Sequence, residues 1–168
     1  MKTADYWIKQ LELQSHPEGG FFKETYRSNG IIPKSELPHF YAGDRTYSTA
    51  IYFLLNRKNY SAFHKIHQDE MWHFYDGTSL TIHMIHPDGN HQSKILGKEI
   101  TADESLQIVV AGGSYFAAEV IDKSSYTLSG CTVAPGFDFA DFEMPDKKTL
   151  IQEFPQHTDL INRLGKTA

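Results

Sequence analysis

The sequence predicts a mainly β fold of the sandwich or barrel type, preceded by a short helix and followed by further helices. From residue 46 to residue 133 the chain runs through short apolar or alternating segments separated by Gly- or Asp-containing turns. Helical spacing of apolar residues is found near the two ends instead. No internal repeat, low-complexity tract or linker interrupts the 168 residues, so 1–168 reads as one domain. A chain of that length buries roughly two-thirds of its unfolded surface.

Each element has a local reason. Thr3 is a candidate N-cap with Asp5 near the positive end of the helix dipole, and Trp7, Ile8, Leu11 and Leu13 follow at helical spacing, giving a helix over 4–13. His16-Pro17-Glu18-Gly19-Gly20 stops it, and the two glycines suit a tight bend. Phe21–Arg27 reads as a strand with one aromatic face. Residues 28–45, with Asn29-Gly30, Pro33, Pro38 and Gly43-Asp44, read as a long loop, a length that points to the cover of a site or an interface. The apolar run Ser48–Leu55 suits a central strand covered on both sides. Met71–Tyr75 is the next strand, and Ser79–His86 pairs through Pro87-Asp88-Gly89-Asn90 with Gln92–Gly97 as a hairpin. Leu106–Val110, Tyr115–Ile121 and Tyr126–Val133 complete the series. Residues 146–154 and 158–164 return to helical spacing around Pro155.

Lys and Arg number 16 against 21 Asp and Glu, a net charge of −5 spread along the chain, and no basic cluster suits a phosphate backbone. Nucleic acid is therefore excluded as the expected partner. No apolar run reaches the ~18 residues of a membrane span, and none near Met1-Lys2-Thr3-Ala4-Asp5 suits a signal peptide. Cys131 is the single cysteine, so no intrachain disulfide forms, which fits the cytoplasm; it reads as a small buried apolar residue.

The chemistry concentrates in His64–Gly77. Strand parity puts Glu70, Trp72 and Phe74 on one face and Met71, His73 and Tyr75 on the other. A histidine and a glutamate offered into a barrel can hold a metal, share a proton or bind a polar ligand. Glu18, Glu24, Tyr26 and Arg27 surround the glycine pair and are candidates for a polar wall at the mouth. Arg27 suits a ligand carboxylate or phosphate, or a salt bridge to Glu24 or Asp44. The aromatic stripe Trp72, Phe74, Tyr115 and Phe116 serves as core, ligand platform or both. His83, His86 and His91 cluster about the hairpin turn and are expected to be exposed.

His64-x5-Glu70-x6-Gly77 resembles the first cupin motif, and Ala111–Phe116 stands in the place of the second, Pro-x-Gly-x-x-His. His16–Arg27, Asp69–Phe74, and Cys131–Phe139 with Asp141-Phe142-Glu143 together resemble the opening, middle and closing signatures of the fifth cupin family. That family is a domain-of-unknown-function group within the dTDP-sugar-epimerase-like cupins. The resemblance covers almost the whole chain and implies a double-stranded β-helix (jelly roll) and a homodimer, but no settled reaction. Metal-binding cupins use two histidines and a glutamate from the first motif and a histidine from the second. Here Ile66 and Phe116 occupy two of those four positions, so no cofactor is expected. A divalent metal, if held at all, would fall to His64, Glu70 and His67.

In epimerase-like relatives a barrel histidine abstracts a proton beside a carbonyl and a tyrosine acts as acid. The resemblance thus makes His64 the candidate base and Glu70 the group that orients it and raises its pKa. Tyr115, or Tyr26 or Tyr52, becomes the candidate acid. With Glu24, Tyr26, Arg27, Tyr52, Trp72, Phe74 and Phe116 as ligand contacts, the expected function is a metal-independent isomerase or epimerase. Its substrate would be a sugar, nucleotide-sugar or similar polar metabolite. The rivals are a non-catalytic binding or sensing module and a metal-dependent oxygenase or hydrolase.

Overall fold

The structure is a computed structural model that describes residues 2–167. Helix α1 (Ala4–Gln10) leads into β1 (Gln14–Ser15), β2 (Phe21–Arg27), β3 (Ile31–Ile32), β4 (Arg45–Thr46), β5 (Thr49–Asn56) and β6 (Ser61–His64). Then come β7 (Asp69–Gly77), β8 (Leu80–Ile85), β9 (His91–Leu96), β10 (Glu104–Ser105), β11 (Gln107–Val110), β12 (Tyr115–Val120) and β13 (Tyr126–Ala134). Helices α2 (Lys147–Glu153) and α3 (Thr158–Leu164) close the chain.

The strands form two facing sheets, β1-β2-β5-β13-β7-β11 and β10-β9-β8-β12-β6, the jelly roll that the resemblance implies. Alternation decides what each strand contributes. Phe53 and Leu55 of β5, Trp72 of β7, Ile82 and Met84 of β8, Ile108 and Val110 of β11 and Phe116 of β12 all point between the sheets into one buried cluster. The opposite parity faces outward. On the five-stranded sheet Phe63, Ile85, Tyr115 and Ala117 pack under Leu150 of α2, Phe154 just after it, and Ile161 and Leu164 of α3. Each of the latter four side chains is almost fully buried, a contribution of roughly 1.5–3 kcal/mol apiece. On the six-stranded sheet Tyr52, Leu54, Tyr126 and Leu128 pack against α1 and Leu13.

The helix starts follow their caps. Thr3 accepts from the Tyr6 amide at 3.2 Å, and Asp146 accepts from the Thr149 amide at 2.7 Å. Two details differ from the sequence reading. Helix α1 stops at Gln10, because Glu12 takes a positive φ of 55° and Leu13 folds back onto the sheet. The 28–45 stretch is not all loop. Ile31 and Ile32 pair with Thr46 and Arg45, and residues 34–36 make a 3-10 turn.

Candidate active site

Between the sheets lies a cavity of about 250 Å³. Its base is built from β6 outward. Phe63 points to the helices, so His64 points in, where it is 2% exposed. His64 Nδ1 lies 2.7 Å from the Ala62 carbonyl. A carbonyl only accepts, so Nδ1 carries the ring proton and Nε2 of the neutral ring is bare. Nε2 in turn lies 3.0 Å from Oε2 of Glu18, a contact that needs one proton between the two atoms. Burial settles which group holds it. It presses the His64 pKa down to about 3 and raises that of Glu18 well above the carboxylate range, the nearby Glu70 charge adding to the latter. Glu18 is therefore the protonated partner and donates to His64.

The rest of the base braces this pair. Ser61 Oγ donates to Glu18 Oε1 at 2.8 Å. The Glu18 amide donates to His16 Nδ1 at 3.3 Å, and the same nitrogen is 3.4 Å from Glu18 Oε2. Burial lowers the His16 pKa to about 4, so this ring is neutral too. The His64 ring lies between Phe116, at 4.0 Å between centroids, and Phe142, stacked at 5.3 Å. Glu18 reaches this position because the bend after it is unusually tight. Gly19 and Gly20 have φ of +110° and +75°, and a Cβ on Gly19 would stand 2.1 Å from the Tyr60 carbonyl oxygen.

Glu70 enters from β7, opposite Val133 of β13, and Cys131 faces the cavity from the same strand. Burial raises the Glu70 carboxyl to about 7, while a hydrogen bond from the Cys131 thiol pulls the other way. The walls are apolar: Phe22, Ile51, Phe53, Ile66, Val133, Phe137, Phe139 and Phe142. At the mouth Arg27 forks onto Glu24 at 3.0 and 2.7 Å and also donates to the Phe137 carbonyl at 3.2 Å.

The structure brings only some of the expected residues together. His64, Glu70, Glu24 and Arg27 line the cavity. Glu70 does not orient His64; Glu18 does, and the His64 pKa moves down rather than up. Tyr115 lies on the outer face, where its hydroxyl donates to Glu143 and Lys65 Nζ sits 4.4 Å over its ring, so it cannot serve as the acid of this cavity. Tyr52 shares that outward parity and meets Tyr75 edge-on. Tyr26 is exposed because a bulge between Glu24 and Tyr26 turns it out. Trp72 and Phe74 belong to the packed half of the barrel, and Phe116 touches His64 from that core. His83 is buried rather than exposed, with its Nδ1 3.3 Å from His91 Nε2. Asp138 and Asp141 of the closing motif part company. Asp138 faces the cavity, while Asp141 pairs with the buried Arg45.

The donor set does not fit a divalent metal. Ile66 and Phe116 are both buried and apolar, and His67, the stand-in ligand, packs on Phe40 and Tyr41. Among the described residues, no three His, Cys, Asp or Glu side chains are grouped so as to hold one. His16 and Glu18 were the residues that strand parity could not supply. They come from a bend: Glu18, expected in a polar wall at the mouth, lies at the base instead, and the one signal for His16 was membership of the opening motif.

The family model for the Cupin superfamily (DUF985) matches residues 5–145. A yeast relative, Saccharomyces cerevisiae "Uncharacterized protein YML079W", is 31% identical over 143 residues, covering 80% of this chain and 71% of its own. Protein SO0799 from Shewanella oneidensis has a crystal structure that superposes with a TM-score of 0.89 at 38% identity over 100% of both chains. A hypothetical protein from Leishmania major gives 0.88 at 32% identity, covering 98% and 99% of the two chains. Bacillus subtilis oxalate decarboxylase is similar in fold alone, at a TM-score of 0.55 and 14% identity over 37% of its length. No helix among the described residues is long and apolar enough to cross a membrane.

Proposed function

The chain belongs to the Cupin superfamily (DUF985), and on that premise we propose that it is a metal-independent isomerase or epimerase of the cytoplasm. Its substrate would be a small polar metabolite such as a sugar or the sugar end of a nucleotide-sugar. One observation carries the reading: Glu18 Oε2 lies 3.0 Å from His64 Nε2 at the base of a cavity that also holds Glu70. Moving a proton beside a carbonyl needs a base that is partly ionised at working pH and an acid that is not. Glu70, at about 7, suits the base. The Glu18 carboxyl suits the acid, and His64, whose bare Nε2 accepts from it, holds it in place. A carbonyl oxygen seated between them would receive charge in a site walled from water by phenyl rings.

The second reading is a binding or sensing module without chemistry. It is favoured by His64 having both ring nitrogens already paired within the protein. A thermal-shift screen of sugars and nucleotide-sugars, followed by proton NMR of each hit in D₂O, separates the two. The isomerase incorporates solvent deuterium at carbon, and Glu70→Gln or Glu18→Gln slows that exchange about 10²- to 10⁴-fold while the hit still binds. Binding without exchange leaves the module. A panel with no hit removes both readings of the cavity.

A further inference from the structure

The cavity lining is lopsided in its ionisable groups. Four carboxyl groups face it, Glu70 and the protonated Glu18 at the base and Glu24 and Asp138 at the mouth, against Arg27 as the one cation among its described lining residues. Arg27 is already engaged by Glu24 and the Phe137 carbonyl. His16 and His64 are neutral near pH 7, because burial holds both well below the usual imidazole range. Glu70 is nine-tenths buried and aimed into the cavity, and among the described residues the Cys131 thiol, a weak donor, is its one neighbour in hydrogen bonding. Phe22, Phe53, Phe137, Phe139 and Phe142 line the same cavity.

A bound anion would meet this base with no free positive partner, whereas a cation would find an unmatched carboxyl and several aromatic rings. From this geometry we propose that the ligand of the cavity is a compact organic cation, an ammonium-bearing metabolite whose head lies by Glu70 and whose body packs on the phenylalanine rings. The inference rests on the cavity being a ligand site and departs from the sugar named above: an ammonium paired with Glu70 engages the carboxylate that would otherwise act as base, so it concerns the ligand's class and not the isomerase step. It turns carboxylates and phosphates away from the base.

Binding such a cation draws Glu70 into its ionised form. At neutral pH that carboxyl is partly protonated, so complex formation releases a proton. The groups facing it do not take up that proton. Glu18 is held protonated against His64, His16 and His64 are kept neutral, and burial pushes the Cys131 thiol up. Glu24, Asp138 and Arg27 lie at the mouth.

The test is calorimetric titration with a matched set of cyclohexylammonium, cyclohexanol and cyclohexanecarboxylate at pH 6 and pH 8. The amine stays charged at both. The expected result is at least tenfold tighter binding of the ammonium than of the alcohol, and no binding of the carboxylate. Affinity for the ammonium should rise about tenfold from pH 6 to pH 8 through Glu70 alone, with proton release read from different buffers. Glu70→Gln abolishes both the preference and the pH step. Amide NMR shifts of Glu18, Glu70 and Cys131 place the binding in the cavity. Alcohol or carboxylate binding as tightly as the amine, with those amides shifting, overturns the charge preference and leaves the ligand site standing. Ammonium binding without those shifts also overturns it. No binding by any of the three overturns it too, and a sugar screen without hits then takes the ligand site with it.

Discussion

Glu70 ionises in a place where its charge is poorly solvated, and this makes stability depend on pH. Its folded value of about 7 stands above the ordinary 4.5, so the folded chain holds this proton more tightly than the unfolded one. The contribution is therefore fully present below 4.5, declines as pH rises toward 7 and levels off above it. Between pH 5 and pH 8 the loss amounts to about 2–3 kcal/mol. Urea unfolding of wild type and Glu70→Gln at those two pH values should show the difference between them moving by that amount in favour of the variant. His16 and His64, whose depressed values act in the opposite direction on acidification, cancel in the comparison. A difference that is the same at both pH values removes the raised carboxyl from the account. At this scale the sequence was legible where alternation rules. His64, Ile66 and Glu70 face the cavity as parity requires, while Phe116 turns its ring onto His64. The same rule excludes Tyr115, since neighbours on a strand point to opposite faces and Phe116 points in. Glu18 and His16 lay beyond any such rule, because a bend with positive φ at two glycines sets their direction.

The segment 137–142 is the element that closes the cavity, and one ion pair anchors it. Phe137, Phe139 and Phe142 supply its wall, with a 3-10 turn over Phe139–Asp141 between them. Asp141 pairs with Arg45 of β4 and accepts from Gln68 at 2.8 Å, and both ionic side chains are nearly fully buried. The Phe137 amide donates to Thr49 at 3.0 Å, so the segment is tied at both ends. Removing one partner of a buried pair strands the other charge. Asp141→Ala should therefore cost about 3–5 kcal/mol in urea unfolding, and replacing both residues together, Arg45→Met with Asp141→Leu, should restore most of it. If the double variant is as unstable as the single one, the pair is not what holds the segment. Arg45 also explains why 28–45 resisted reading as structure. β3 and β4 are two residues each, too short for periodicity to register, and their pairing serves to bring Arg45 under Asp141.

The whole barrel follows from covering each sheet on its outer face. α1 covers part of the six-stranded sheet, and α2 with α3 cover the five-stranded one. The turn signals between strands were strong enough for the sequence to place most of them within a residue or two, whereas the jelly-roll architecture came from the family resemblance and the strand order from the structure, since spacing carries no information on which strands pair. One outer face stays bare. Met71 and Tyr75 of β7 and Val109 of β11 are exposed on the six-stranded sheet, and β11 is its edge strand with an unpaired side. Apolar side chains next to a free edge invite a second strand. The family resemblance implies a homodimer, and we propose that this face forms it. Sedimentation velocity should give about twice the mass of one chain for the wild type. Tyr75→Lys with Val109→Lys should sediment as one chain with its circular dichroism unchanged, because both side chains leave the buried cluster untouched. A wild type that sediments as a single chain, or a lysine variant that still pairs, would show that this face is not where two copies meet.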